Sequence, residues 1–341
     1  MIHSVPGKIK YSVLDLATVC QDDTLQQTFA RSLQTARFAE GQGYTRYWFS
    51  EHHNMESVAS AATSVLIGYV AGGTTTIRVG SGGIMLPNHS PLIIAEQFGT
   101  LGSLYPGRID LGLGRAPGTD GLTAMTIRNS PVNAPYDFRT HIKQLQTYFS
   151  PENAGAKVRA LPGEGVEVPL WILGSSTDSA YLAAQLGLPY AFAAHFAPAQ
   201  LMQALSIYRE YFQPSGVLQQ PYAMACVNVI AAATNEEAAF LSTSLYKMFM
   251  GIFTNERAPL QPPFDPEELR FLWTPEQEYG VKQMLANSFI GDKNTVARHL
   301  SGFLEATGVQ EIMIATQVFD QQKKERSFQL FKEAIDSIAV E

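Results

Sequence analysis

Three short stretches carry residue types that could do chemistry. In RYWFSEHHNM (46–55) an aromatic run ends in Glu51, His52 and His53. A carboxylate beside two imidazoles can bind a metal ion, move protons, or simply end a strand in polar residues. Successive strand residues point to opposite faces, so both imidazoles reach one ion only if the strand has already ended. The i, i+4 spacing of a helical zinc pair is also missing. A single acid/base histidine with a structural neighbour fits better. A polar strand end with no catalytic role is equally compatible.

In ILGSSTDSAYLAAQ (172–185), Gly174, Ser175, Ser176, Thr177 and Ser179 fall where a strand turns into a helix. The first-turn amides of that helix are unsatisfied donors at the positive end of its dipole. Hydroxyls at the same place make a ready anion site, although one serine acting as an N-cap explains part of the pattern. Arg115, in GLGRAPG one strand earlier, can add a bidentate cation. Together these residues favour an anion. The third stretch is GSGGIML (80–86), where Gly80, Gly82 and Gly83 interrupt a good strand. Such a cluster marks a bulge, a ligand lying on the backbone, or tight packing against a neighbouring strand.

The elements that must position these residues alternate along the chain. Strand patterns are read at 9–16, 44–50, 76–86, 108–114, 168–174, 188–195, 222–232 and 309–317, each with a helical partner, among them a capped helix from about Asp292 to Ala306. Strands apolar on both faces that alternate with helices require a parallel sheet covered on both sides. Eight such units fit an α/β fold of the (β/α)8 TIM-barrel type better than an open doubly wound sheet. In such a barrel the strand ends bring Asp15, Glu51, His52, His53, Asn88, His89, Arg115, Ser175, Ser176 and His195 to one mouth. Two segments break the rhythm. Residues 151–167 read as a polar surface connection. Residues 256–285, with five prolines among aromatics and acids, read as a lid-like insertion after the seventh strand, within a single domain spanning 1–341.

Composition narrows the partners. The 341 residues carry a net charge of −7 and no Lys/Arg run, which argues against nucleic acid and acidic membranes. The two cysteines, Cys20 and Cys226, exclude a cysteine-based zinc site and point to a reducing cytoplasm. The N-terminal stretch lacks the basic-then-apolar order of a secretion signal, and no apolar run is long enough to span a bilayer.

The segments YWFSEHHN, VGSGGIMLPNHSP, EQFGTLGSLYPGRIDLGLGRAPG and ILGSSTDSAYLAAQLGLP, in this order, resemble the bacterial-luciferase-like flavin monooxygenases, and most of all their single-component, alkanal monooxygenase-like members. The resemblance covers nearly the whole chain. It implies a TIM barrel that binds FMN as FMNH2 at its C-terminal mouth. The phosphate would sit on Arg115, Ser175, Ser176 and Ser179 beside Gly174. The ring would lie against a strand-3 bulge with a non-prolyl cis peptide at Gly82–Gly83. His52 matches the family's proposed acid/base histidine, with Glu51 and His53 orienting it, and no metal is implied. The family likeness further implies O2 and a small organic molecule as substrates, a separate flavin reductase, a homodimer paired through first-half helices, and a lid at 256–285. One departure is that Gly114 stands where luciferase has a reactive cysteine, which argues against light emission and a long-chain aldehyde. Deazaflavin-dependent oxidoreductases share the fold, and a non-catalytic flavin-binding or storage protein is the rival from another class. A metal-dependent TIM-barrel hydrolase ranks last.

Overall fold

The computed structural model describes residues 9–129 and 136–338. The first eight residues of the stretch read for a secretion signal, and the two ends of the 1–341 domain, lie outside the described residues. In chain order the elements are β1 (Lys10–Asp15), α1 (Leu25–Gly41), β2 (Arg46–Phe49), α2 (Thr63–Gly72), β3 (Arg78–Met85), α3 (Pro91–Leu104) and β4 (Ile109–Gly114). They continue with α4 (Gly121–Arg128), α5 (Phe138–Phe149), β5 (Leu170–Gly174), α6 (Thr177–Leu186), β6 (Tyr190–Phe192), α7 (Leu201–Glu210) and β7 (Ala223–Ala231). The last are α8 (Asn235–Thr254), α9 (Pro275–Met284), β8 (Ser288–Gly291), α10 (Lys293–Thr307), β9 (Glu311–Ala315) and α11 (Gln321–Ile338).

β4, β7 and β9 are buried along their whole length, as strands covered by helices outside and side chains inside must be. Parallel pairing runs from β1 through β7, then to β9, and β9 pairs back to β1. The (β/α)8 barrel is therefore closed, which the strand pattern alone left open. β8 is an added strand with no counterpart in the sequence reading, and pairs with the C-terminal half of β7. β6 is shorter than 188–195, because the Ala194 amide already turns back to the Phe192 carbonyl. α10 begins where expected, with Asp292 accepting from the Thr295 amide at 2.8 Å.

The barrel interior is layered. At the N-terminal end Arg46 is buried between two carboxylates, Asp110 at 2.8 Å and Glu311 at 2.8 Å. Tyr222 donates to Glu311 at 2.8 Å, and Trp48 Nε1 donates to Asp110 at 3.1 Å. Above them the Trp48 and Trp171 rings meet edge to face at 5.2 Å, packed with Leu14, Met224, Cys226 and Met313. This plug leaves the C-terminal mouth as the open end.

One of the two irregular segments differs from its sequence reading. Residues 151–167 are only partly a surface connection: Ala160 is buried, and Gly163 packs so closely on α3 that a Cβ on Gly99 would lie 2.1 Å from its Cα. Residues 256–285 follow β7 and α8 and contain α9, started by a capping box of Thr274 and Gln277. Among the described residues no helix is long and apolar enough to cross a membrane.

Candidate active site

β2 ends at Phe49, so the chain leaves the pleat before Glu51, and alternation no longer separates the side chains that follow. The fully buried Glu51 carboxylate accepts from Nε2 of His53 at 2.9 Å and from Nε2 of His89 at 2.9 Å. It also accepts from the Met85 amide at 3.0 Å and from Asn88 Nδ2 at 3.4 Å. Burial alone would push this carboxyl up. The hydrogen bonds from His53 and His89, the His89 charge and the Met85 amide outweigh it and hold Glu51 at about 2. The carboxylate is thus a fixed negative hub joining the end of β2 to the turn after β3.

This corrects the orientation expected for His52. Glu51 orients His53 and His89, while His52 Nδ1 is enclosed with no hydrogen-bond partner. His53 is held by its backbone: its amide donates to the Gly118 carbonyl at 3.1 Å, and its carbonyl accepts from Thr119 Oγ1 at 2.9 Å. Burial pulls the His52 ring below the ordinary imidazole range, opposed by the Gly118 carbonyl and the Glu51 charge and reinforced by Arg257 and His53. Burial thus disfavours the charged form of His52. Among the described residues no group of three or more His, Cys, Asp or Glu side chains could hold a metal ion.

On the opposite wall α6 starts directly after β5. Ser176 stands at its N-cap without a side-chain capping bond, so the first turn keeps donors available. The Arg115 guanidinium reaches this turn, with NH2 3.2 Å from Asp178 Oδ2. The residues from two different strands therefore converge, as an anion site requires. Ser179 lies in the same turn, where its hydroxyl donates to the Ser176 carbonyl at 2.7 Å and lies 3.0 Å from Tyr190 OH. Its place beneath Gly174 explains that glycine, since a Cβ there would lie 2.0 Å from Ser179 Oγ. The Thr177 amide is taken by Gln200 Oε1 at 3.2 Å.

Every glycine of β3 sits where a Cβ would collide: at Gly82 with Leu14 Cδ1 at 2.8 Å, and at Gly83 with the Gly112 carbonyl oxygen at 2.7 Å. A Cβ on Gly80 would lie 2.5 Å from the Asp110 carbonyl oxygen, so Gly80 is there for packing. Gly82–Gly83 is a cis peptide, at the place where the β3–β4 register shifts between Ser81 and Ile84. Ser81 Oγ bridges the gap, donating to the Gly112 carbonyl at 2.8 Å and accepting from the Gly112 amide at 3.0 Å.

Around the rim, Asp15 is structural, accepting from Tyr47 OH at 2.5 Å and from the Ala17 amide at 2.9 Å. The loops after β1 and β2 and the 256–285 segment are stitched together. The Val19 amide donates to Ser57 O at 3.0 Å, the Leu260 amide to Val19 O at 2.8 Å, and the Gln21 amide to Leu260 O at 2.8 Å. Arg257, three residues before that stitch, donates to Met55 Sδ at 3.7 Å. His89 and Arg257 gained their places through tertiary contacts; the sequence placed His89 at the mouth but offered no signal that it shares the Glu51 carboxylate.

A closed parallel barrel with a carboxylate–histidine cluster and a cationic helix N-terminus at its C-terminal mouth defines the class. A family model described as luciferase-like monooxygenase matches residues 9–311. A protein named luciferase-like monooxygenase from Escherichia coli (strain K12) is 51% identical over 322 residues, covering 94% of this chain and 96% of its own. Among solved structures, apo-MsnO8 superposes with a TM-score of 0.88 at 32% identity, covering 96% of this chain and 98% of that one. The oxygenating constituent of 3,6-diketocamphane monooxygenase from Pseudomonas putida, in complex with FMN, shares the fold with a TM-score of 0.72 at 17% identity, over 96% and 97% of the two chains. The chain belongs to the luciferase-like monooxygenase family.

Proposed function

We propose that this protein is an FMN-dependent monooxygenase of the cytoplasm, which takes reduced FMN from a separate reductase and oxidises a small organic substrate with O2. The observation that carries the reading is the convergence of Arg115 on the start of α6, on the same mouth as His52. The donor set fits a phosphate: one guanidinium, the Ser175 and Ser176 hydroxyls, and the amides of an uncapped first turn. The Arg115–Asp178 pair is itself exposed, with 60% and 69% of the two side chains open, so it is held weakly. Ser179 supports this turn from beneath, and the cis peptide Gly82–Gly83 at the register shift of β3 is where a flat ring would lie.

When bound, reduced flavin supplies the two electrons with which one atom of O2 enters the substrate and the other leaves as water. The remaining work falls to the chain. His52 takes or gives the proton, burial of its ring disfavouring the charged form. Glu51, His53 and His89 hold the His52 segment rigid. The 256–285 segment, pinned at Leu260, acts as a lid that excludes water.

Homodimer formation is supported by α2, whose residues are apolar all round rather than on one stripe. Val65 and Tyr69 on α2 are 68% and 45% exposed and Ile93 on α3 is 46% exposed, an apolar face that a second copy would cover.

The deciding measurement is an anaerobic titration with reduced FMN, run beside oxidised FMN and a deazaflavin. Reduced FMN binding no more tightly than to a control protein ends the reading. Preference for the deazaflavin moves the chemistry to hydride transfer, and O2 consumption without an oxygenated product moves the protein to flavin binding or storage.

A further inference from the structure

His195 stands just past β6, outside the groups assigned above to the flavin and to proton transfer. Its place is firmly built. Asn228, buried in β7, donates Nδ2 to the His195 carbonyl at 2.6 Å and also reaches Ser288 Oγ at 3.2 Å. The Phe196 ring stands edge-on to the imidazole at 4.9 Å. His195 Nδ1 is enclosed without a partner, as His52 Nδ1 is. Its Nε2 has no hydrogen bond among the described residues and is not fully enclosed.

An imidazole so placed has one low-cost protonation state. The imidazolium needs acceptors at both nitrogens, and an enclosed Nδ1–H would have none. The neutral tautomer protonated at Nδ1 has the same defect. Protonation at Nε2 leaves only a lone pair in the enclosure and turns the single donor toward the cavity. Burial and the nearby His52 act the same way and bring His195 down to about 3. His52 differs because the Gly118 carbonyl and the Glu51 charge favour its protonated form, whereas burial and His52 both disfavour that of His195.

We propose that His195 is a second ligand-contacting residue of the mouth, a neutral imidazole whose Nε2–H donates to an acceptor oxygen of the bound ligand. The chemistry it takes is a carbonyl or comparable oxygen, borne either by the flavin ring or by the organic substrate. A group offering only donors finds no lone pair on the open side of this ring. The ligand's identity rests on the flavin reading above; the state of His195 does not.

The test is carbethoxylation of the apo protein with diethyl pyrocarbonate from pH 5.5 to 8, mapped by peptide mass, with the exposed His299 as internal reference. Only a ring nitrogen with an accessible lone pair reacts, so His195, whose accessible nitrogen carries the proton, is expected to resist acylation at every pH in this range while His299 reacts. Selective 15N-histidine labelling, with H195Q to assign the signals, gives the second readout, and the Nε2–H pattern should persist from pH 5.5 to 8. Adding saturating oxidised FMN separates the sources: a shifted Nε2–H signal assigns the acceptor to the flavin, and an unchanged one assigns it to the substrate. Acylation of His195 at a rate like that of His299, or an Nδ1–H or imidazolium pattern, overturns the proposal. Failure of FMN to bind defeats the flavin reading while leaving the His195 result intact.

Discussion

Glu51 and His89, separated by 38 positions in the chain, meet in a buried hydrogen bond of 2.9 Å that ties the end of β2 to the turn following β3. The His52 backbone is caught between this bond and the bond from Glu51 to His53. On the proposed reading His52 handles a proton, which requires a fixed backbone, and the buried carboxylate provides that fixity.

Glu51→Gln keeps the shape and removes the charge. Its folded-state pKa of about 2 lies below the ordinary carboxyl value, so its contribution is present above about pH 4.5 and is lost as pH falls toward 2. The expected loss at pH 7 is on the order of 3 kcal/mol. Urea unfolding of both proteins from pH 7 down to pH 3 should show the gap narrowing with acid; a gap independent of pH contradicts the assignment.

His52→Gln should fold and bind FMN like the parent, yet lose about 10²–10⁴ in kcat, the range for removal of a general acid or base. Because burial lowers the His52 pKa, the acid limb of the parent's activity should lie below pH 6.5. Unchanged kcat in the variant removes His52 from the chemistry.

Arg115→Ala should weaken FMN binding by about tenfold to a hundredfold, the worth of a charge-assisted contact to a phosphate. Asp178→Asn frees the same guanidinium from its 3.2 Å partner and should tighten FMN modestly. Riboflavin, which lacks the phosphate, serves as the control: an equal loss of riboflavin binding in Arg115→Ala points to misfolding instead.

Glu311→Ala strips the buried Arg46 guanidinium of its 2.8 Å partner and should cost about 3–5 kcal/mol of stability. The site lies at the far end of the barrel from His52, so activity per folded molecule should hold. Chemical denaturation and active-site titration with FMN separate the two effects.

Gly80→Ala places a Cβ 2.5 Å from the Asp110 backbone oxygen, which cannot rotate away. About 1–3 kcal/mol of destabilisation is expected from such overpacking. A drop in Tm without a change in FMN affinity would confirm that this glycine serves packing alone.

What the chain determined by itself is what depends on near neighbours. Alternation of apolar strands with helices made the barrel legible, because period and burial are written locally. Asp292 announced α10 by a capping bond three residues long. The glycine pair of β3 and the serines after β5 were visible because only particular residue types suit such backbone.

Only the tertiary structure decided who faces whom. Arg46 finds Glu311 across 265 positions, Glu51 chooses His89 over His52, and Ser179 meets the Tyr190 hydroxyl. β8, four residues without a marked pattern, exists because the C-terminal half of β7 offered it a ladder. These pairings follow from closing the sheet on itself, which sets register, tilt and distance together. A side chain's type says what it can bond, but its partner is whatever barrel closure brings within about 3 Å.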